Sequence, residues 1–346
     1  MDNNGHVLVT GASGFVGSHV TRELLERGYR VRGTVRSLQR TASYAHLLAL
    51  PGAERLDLVE ADLTVAGSFD EGVVGMSGVI HTASPYALDV DDPQRDLVDP
   101  AVNGTRELLG ACLLSPTVTR VVVTSSMAAI TDEPDSDHVL TEADWNTRST
   151  LQRNPYYLSK AAAERAAWEF MDAAPRSFDL VVVNPYLIIG PEIGPGINTS
   201  NQVLVDMTNG TYPAIMALTF GFVDVRDVAT AHVLALETPS AHGRYICAGD
   251  VVSMREVVGL MREQLPDTVA LPTRSMDNAL GTAVAKLASR FQPAGVGSYL
   301  RTHLGRTPRY DNSKIQRDLT LRFRPARDSI RDTVDDLVAG GDITIG

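Results

Sequence analysis

Short apolar runs of strand length recur up to residue 250, and most are followed by a stretch whose apolar positions repeat every three or four residues. The runs predict β-strands, and the repeats predict amphipathic α-helices. The predicted strands lie at residues 7–10, 29–36, 56–63, 78–85, 120–126, 179–185 and 243–249, with a further short strand at 223. Apolar strands that alternate with helices are typical of a parallel sheet covered on both faces, so the pattern predicts an α/β fold.

The first predicted strand runs into three glycines, Gly11, Gly14 and Gly17, and the amphipathic stretch that follows stops at Gly28. Such a turn lets backbone N–H groups and a helix N-terminus approach a pyrophosphate. Together with the parallel sheet, it predicts a Rossmann-type doubly wound fold that binds a dinucleotide. The turn residues expected to contact this cofactor are Gly11, Ser13, Gly14, Phe15, Val16 and Gly17.

The end of the second strand indicates which dinucleotide is bound. An acidic residue there would accept the ribose 2′-OH of NAD, but this chain has Arg36, followed by Arg40. Because guanidinium groups pair with a 2′-phosphate, we expect NADP(H). Further cofactor contacts are expected where later strands end, at Asp62, Leu63, Thr82, Ala83, Ser84 and Thr124.

Tyr156 and Lys160 lie four residues apart in a strongly helical segment, so they share one helix face. A nearby ammonium stabilises a phenolate and lowers the tyrosine pKa from ~10, which makes the phenol a usable general acid. Ser126, at the end of the preceding strand, is expected to bind a carbonyl oxygen. Tyr310 and Lys314 repeat the spacing without a serine-ended strand before them, so we expect that pair to be structural.

Composition narrows the class of protein. The chain has 346 residues, 44% of them hydrophobic and 21% charged, which fits one large domain with an annex, or two domains. Its net charge of −11 argues against nucleic-acid or anionic-membrane binding, and no apolar run is long enough to span a membrane. The histidines are scattered, so no metal is expected and His81 is predicted to be structural. With two cysteines and no secretory signal pattern, we expect a cytoplasmic monomer or homodimer with a small-molecule substrate.

The glycine turn, Ser126, Tyr156-x-x-x-Lys160 and Asn184-Pro185, in that order, resemble the extended short-chain dehydrogenase/reductase family. Its dihydroflavonol reductase, cinnamoyl-CoA reductase and microbial carbonyl reductase branch is indicated by V-T-G-A-S-G-F-V-G-S-H at 9–19, T-V-R at 34–36, T-S-S at 124–126, G-P at 190–191 and G-R-Y-I-C at 243–247. The resemblance implies that Tyr156 donates the proton, that Lys160 holds the nicotinamide ribose and that Ser126 orients the carbonyl. It also implies that Arg36 binds the 2′-phosphate, and that the nicotinamide is bordered by Pro185, Leu187 and Ile188.

The activity expected from these residues is that of an NADPH-dependent carbonyl reductase, which converts a ketone or aldehyde reversibly to an alcohol. A hydroxysteroid-type dehydrogenase, a nucleotide-sugar epimerase or dehydratase, and a non-catalytic NADP-binding protein are the alternatives. Arg36 argues against the NAD-dependent ones, and residues 191–222 contain no lysine or arginine for a sugar-nucleotide diphosphate. A non-catalytic protein would not need Ser126, Tyr156 and Lys160 together.

The chain is expected to divide unevenly. Residues 1–190 would form the NADP-binding domain, to which residues 223–248 return, whereas 191–222 and 249–346 would form a smaller, interleaved C-terminal substrate-binding subdomain. The apolar and aromatic residues of 191–222 suggest a hydrophobic substrate, although they would equally serve to pack the subdomain. Substrate contacts are expected at Ser126, Tyr156, Tyr86 and Tyr186.

Overall fold

The structure is a computed structural model that describes residues 5–85, 90–134, 137–173 and 177–345. Its strands are β1 (His6–Thr10), β2 (Arg30–Val35), β3 (Leu56–Glu60), β4 (Gly78–His81), β5 (Arg120–Thr124), β6 (Asp179–Pro185), β7 (Leu187–Ile189), β8 (Ile215–Met216), β9 (Thr219–Asp224), β10 (Gly243–Cys247), β11 (Val251–Ser253) and β12 (Ser275–Met276). Its α-helices are α1 (Phe15–Glu26), α2 (Ala45–Leu48), α3 (Asp70–Val73), α4 (Asp99–Leu114), α5 (Pro155–Ala173), α6 (Thr199–Asp206), α7 (Val225–Glu237), α8 (Met254–Gln264), α9 (Ala279–Ala288), α10 (Ala294–His303), α11 (Ser313–Leu319) and α12 (Ala326–Ala339).

The central sheet confirms the predicted doubly wound α/β fold. In the described ranges it has seven strands in the order β10-β6-β5-β4-β1-β2-β3. Every neighbouring pair is parallel. The strand order reverses between β1 and β4, and ligands of such sheets bind in the crevice at the carboxyl ends of the strands next to this reversal.

Helices cover both faces of the sheet. Successive side chains of a strand point to opposite faces, so a strand that is apolar throughout needs a core on each side. From β1, Val7 and Val9 point into a core that contains α1 and α7 side chains such as Leu24 and Val228. Leu8 points to the opposite face, into a core with α4 side chains such as Leu108 and with residues of α5. The sheet is therefore buried on both sides, which explains why its strands are apolar throughout.

A second core lies outside the central sheet. Strand β9 pairs in parallel with β7 and antiparallel with β11. Phe220 and Phe222 of β9 stack at 5.5 Å and pack with α8 and α12 side chains such as Val257 and Ile330. A short pair, β8 and β12, lies beside this core.

Two expectations about strands are wrong. The strand near residue 223 does not return to the central sheet, because β9 turns its phenylalanines into the second core, and only β10 joins the main sheet beside β6. The strands ending at residues 36, 63, 85 and 126 were predicted too long, and the structure ends them at Val35, Glu60, His81 and Thr124. The residues beyond these ends form loops at the crevice.

Candidate active site

The glycine turn forms a backbone cradle between β1 and α1. Gly11 has a φ of 65°, and a Cβ there would lie 3.0 Å from Ala83 Cα. A Cβ at Gly17 would lie 2.2 Å from the carbonyl oxygen of Gly11. Gly14 donates its N–H to that same oxygen at 3.0 Å, and α1 follows it without a side-chain cap. Because bulk is excluded and a helix N-terminus begins here, the cradle fits a cofactor pyrophosphate.

The loops after β2 and β3 bring Arg36 close to Asp62. Hydrogen bonds from the backbone N–H and hydroxyl of Thr64, together with the Arg36 charge, hold the pKa of Asp62 below its usual value. Arg36 and Arg40 are both exposed on the loop after β2. Leu63 packs against α4, where a Cβ on Gly104 would lie 2.5 Å from Leu63 Cδ2. This end of the crevice therefore offers two accessible guanidinium groups, which pair well with phosphate, and a carboxylate close to one of them.

Hydroxyl groups hold the chain in place after β4. Thr82 Oγ1 donates to the carbonyl oxygen of Thr10 at 2.7 Å, and Ala83 N donates to Thr10 Oγ1 at 3.2 Å. His81 Nδ1 is hydrogen-bonded to the same hydroxyl at 2.7 Å. Burial, with the Lys160 charge, lowers the pKa of His81 to about 3. This histidine is therefore neutral, and its role is to hold the Thr10 hydroxyl in place. These contacts fix residues 82–84 against the glycine turn.

Lys160 is buried on the inner face of α5. Its Nζ donates to Ser84 Oγ at 2.8 Å and lies 5.6 Å from the centre of the Tyr156 ring. Burial lowers the pKa of Lys160 to about 8. The lysine therefore joins α5 to the loop after β4 and places a cation beside the predicted proton donor.

The start of α5 is held by the second half of the chain. Asn154, which precedes Pro155, has a positive φ of 49°. Its backbone N–H donates to Ser298 Oγ at 3.1 Å, and its Nδ2 donates to Thr302 Oγ1 at 3.2 Å. Tyr157 is hydrogen-bonded to His303 Nε2 at 3.3 Å. Helix α10 thus determines where α5, and with it Tyr156, begins.

The three hydroxyl residues at the end of β5 and just after it have different partners. Thr124 Oγ1 is hydrogen-bonded to His232 Nε2 at 2.7 Å, and Ser125 Oγ donates to Glu164 Oε2 at 2.6 Å. Ser126 Oγ accepts from Ala128 N at 3.1 Å at the start of a 3₁₀ turn, Met127–Ala129. Because that turn packs against α5, Ser126 is brought to the helix that carries Tyr156 and Lys160.

The side chains of the segment after β6 pack on the apolar cores around it. Leu187 packs on the second core and Ile188 on the first. The Tyr186 ring lies against Tyr310 at 5.9 Å, and a Cβ at Gly221 would lie 2.6 Å from it. Burial raises the pKa of Tyr186. Its ring packs on an apolar cluster that includes Met127 and Ile130 and lies just beyond Ser126.

Three further expectations concern the second Tyr-x-x-x-Lys copy, the aromatic residues of 191–222 and Tyr86. Tyr310 donates to the carbonyl oxygen of Gly249, and Lys314 donates to those of His242 and Arg244, so the second Tyr-x-x-x-Lys copy braces backbone. The aromatic residues Phe220 and Phe222 are 2% and 1% exposed in the second core, so they do not support a hydrophobic substrate. Tyr86 lies outside the described residues.

Sequence reasoning missed two sets of residues. Glu164 and Arg244 form a buried ion pair behind Ser125. The signal available for Glu164 was an acidic residue one turn beyond Lys160 on the inner face of an alanine-rich helix. The α10 residues that hold Asn154 gave no signal, because their contact depends on distant packing. Across the described ranges, no cluster of three or more His, Cys, Asp or Glu side chains suits a metal ion, and no helix there is both long and apolar enough to cross a membrane.

A parallel sheet, a glycine cradle at its crevice, and a buried lysine at that crevice beside a tyrosine of the same helix define a Rossmann-type dinucleotide enzyme. The sequence model of the NAD dependent epimerase/dehydratase family matches residues 7–249. The chain belongs to this family, the extended short-chain dehydrogenases/reductases, which confirms the resemblance and the assignment to oxidoreductases.

Relatives cover most of the chain. Cinnamoyl-CoA reductase CAD2 of Medicago truncatula is 42% identical over 285 residues, 80% of this chain and 86% of that protein. Tetraketide alpha-pyrone reductase 1 of Arabidopsis thaliana is 36% identical over 343 residues, 97% of this chain and 96% of that protein. The crystal structure of Gre2 in complex with NADPH from Candida albicans has a TM-score of 0.80 and 30% identity, covering 97% of this chain and 99% of that one.

Proposed function

We propose that this protein is an NADPH-dependent carbonyl reductase that converts a ketone or aldehyde to an alcohol. The observation that carries the proposal is the buried Lys160 ammonium, 5.6 Å from the Tyr156 ring and hydrogen-bonded to Ser84 at the crevice. A cation at that place is the arrangement that turns a tyrosine into a general acid for a carbonyl oxygen. The similarity to reductases, and to Gre2, which was solved with NADPH, supports the same conclusion.

The cofactor would be held along the whole crevice. The glycine cradle, with Ser13, Phe15 and Val16, would bind the pyrophosphate; Arg36 and Arg40 would bind the 2′-phosphate, and Asp62 and Leu63 the adenine. Residues 82–84 and Thr124 would line the riboses, Lys160 would bind the nicotinamide ribose, and Pro185, Leu187 and Ile188 would border the ring. NADPH, when bound, supplies the hydride.

The residues of the chain supply the proton and the electrostatic stabilisation. Ser126 would donate a hydrogen bond to the carbonyl oxygen, which stabilises the charge that develops there. Tyr156 would donate its phenolic proton to the same oxygen. Lys160 would lower the pKa of Tyr156 through its charge, so that the proton leaves readily near neutral pH. A general acid positioned in this way contributes roughly 10²–10⁴-fold to the rate.

The substrate would lie between the NADP-binding part, residues 1–190 with α7 and β10, and the subdomain of 191–224 with 249–346. We propose a bulky, hydrophobic carbonyl compound. The support for this is the ring of Tyr186, which is only partly buried and packs on an apolar cluster just beyond Ser126. The substrates that the names of the two reductase relatives contain are bulky carbonyl compounds as well.

The first experiment follows nicotinamide absorbance with NADPH or NADH and a panel of aryl ketones, β-keto esters and aldehydes. We expect oxidation of NADPH, and a loss of about 100-fold or more in kcat for Tyr156→Phe. Tyr310→Phe is the matched control from the second copy of the motif, and we expect it to retain turnover. Preference for NADH would contradict the role given to Arg36. Turnover only with nucleotide sugars would favour an epimerase or dehydratase instead.

A further inference from the structure

A buried carboxylate lies behind the serine proposed to bind the carbonyl. Glu164 is one turn beyond Lys160 on α5, and its side chain is 0% exposed. It accepts hydrogen bonds from four side chains, which come from four different places in the sequence. The donors are Ser125 Oγ at 2.6 Å, Asn184 Nδ2 at 2.7 Å, Trp168 Nε1 at 3.3 Å and Arg244 Nε.

Arg244 supplies the opposite charge and extends the network. Its side chain is 7% exposed, and its guanidinium lies 3.9 Å from the centre of the Trp145 ring. Its Nη1 also donates to the backbone carbonyls of Glu142 and Asp144. A guanidinium suits this place because its planar fork serves several acceptors at once. The pair therefore ties α5, β10 and the loop at 142–146 into one unit.

Two of the groups that Glu164 binds adjoin residues of the proposed reaction. Ser125 immediately precedes Ser126, and Asn184 immediately precedes Pro185 at the nicotinamide position. Asn184 Nδ2 also donates to the carbonyl oxygen of Ser126 at 3.2 Å. Because Glu164 binds the hydroxyl of Ser125 and Asn184 binds the carbonyl of Ser126, the backbone is restrained on both sides of the Ser126 side chain.

We propose that Glu164 and Arg244 are a positioning pair that fixes Ser126 and the Asn184-Pro185 segment relative to Tyr156. This inference rests on the carbonyl reductase function proposed above. Neither residue of the pair touches the substrate or exchanges a proton. Tyr156, Lys160 and Glu164 follow one another at i,i+4 spacing, so a single helix carries the proton donor, its cation and the anchor of the serine. The pair therefore determines the distance between the two groups that act on one carbonyl oxygen.

The test separates positioning from folding. The double variant Glu164→Met/Arg244→Met removes both charges but keeps apolar volume, a replacement that buried ion pairs often tolerate. Ser125→Ala removes only the hydroxyl that links the pair to Ser126. The Tm of each variant is measured first. The Kd for NADPH, and kcat and KM for an aryl ketone, are then measured at a temperature well below that Tm.

We expect both variants to fold and to bind NADPH within about twofold of the parent, while kcat falls roughly tenfold or more, since small misplacements of reacting groups cost up to 10²-fold. The pH profile of kcat stays unchanged, because Tyr156 and Lys160 are intact. Adding Ser125→Ala to the double variant lowers kcat no further, because both changes remove one anchor. Asp227→Asn is the control: it breaks the ion pair between the buried Asp227 on α7 and the exposed Arg324, and it keeps kcat.

Each other result has a distinct meaning. A stable double variant with the kcat of the parent would show that the pair only supports folding, and would overturn the inference. Losses that multiply when Ser125→Ala is added would also overturn it, because the serine would then act independently. If the double variant does not fold, Ser125→Ala decides: an unchanged kcat for this variant overturns the inference but leaves the proposed function standing. A parent chain that reduces no carbonyl compound overturns the proposed function and this inference with it.

Discussion

Replacing Lys160 with methionine is expected to stabilise the free protein while it abolishes turnover. Burial lowers the pKa of this lysine from 10.5 to about 8, so its charged form is held in the folded state at a cost in free energy. At 1.36 kcal/mol per tenfold change, that difference corresponds to about 3 kcal/mol. The hydrogen bond to Ser84, which the methionine cannot make, contributes about 1 kcal/mol in the opposite direction. The net gain in the free energy of unfolding at neutral pH is therefore about 2 kcal/mol.

The pH dependence follows from the sign of the pKa change. Between about pH 8 and 10.5 the unfolded chain binds more protons at this lysine than the folded chain does. The stability of the parent therefore rises with pH across this window, as the unfavourable charge is lost. Below about pH 8 the penalty is present in full, so the advantage of Lys160→Met is largest there. Above about pH 10 the advantage disappears.

Thermal unfolding of the cofactor-free protein from pH 6 to pH 10 measures this effect. We expect a Tm increase of roughly 4 °C for Lys160→Met at pH 7, since 1 kcal/mol shifts the Tm of a chain this long by about 2 °C. Lys314→Met is the matched control: it removes the donor to two backbone carbonyls and should lower the Tm while turnover persists. A Tm decrease for Lys160→Met at pH 7, or a gain that does not shrink toward pH 10, would refute the reasoning.

Four further variants test single positions in the crevice and its wall. Gly17→Ala forces a Cβ to within 2.2 Å of a carbonyl oxygen, so we expect a loss of about 1–3 kcal/mol in urea unfolding without cofactor. Gly14 lies in extended backbone, so Gly14→Ala should leave that stability nearly unchanged. It should weaken NADPH binding about tenfold or more in fluorescence titrations. Equal behaviour of the two variants would contradict a structural role for Gly17 and a binding role for Gly14. Arg36→Ser should lower the preference for NADPH over NADH about 10–100-fold in kcat/KM, and an unchanged ratio would remove this arginine from the 2′-phosphate site. Gly221→Ala should displace the Tyr186 ring and raise the KM for the carbonyl compound but not for NADPH, whereas an unchanged KM would separate this wall from the substrate.

The elements around the glycine turn could be predicted because their determinants are local. Gly11 and Gly17 mark positions where backbone approaches backbone, and the apolar strands beside them show that both sheet faces are buried. The strand ends were less predictable. Residues such as Thr82 and Ser125 continue an apolar-looking run, yet their hydroxyls bind Thr10 and Glu164, which takes the chain out of the sheet.

Contacts between distant parts of the chain could not be predicted from the residues themselves. Phe220 and Phe222 look alike whether they line a substrate pocket or pack a core, and only the pairing of β9 with β7 and β11 decides in favour of the core. Glu164 and Arg244 are 80 residues apart. A buried glutamate is tolerable only with such a partner, but nothing in the sequence shows which arginine that partner is.

The brace that Tyr310 and Lys314 provide also protects an edge of the central sheet. Among the described strands β10 is the last on its side, and a strand in that place offers backbone groups to which another chain can add. Lys314 binds the carbonyl of Arg244, and the Glu142 carboxylate accepts the N–H of Ile246. Side chains thus occupy the outer hydrogen-bonding positions of the strand. Loss of the segment that begins at Tyr310 would therefore open the sheet to intermolecular strand pairing, and its first sign would be aggregation that increases with protein concentration.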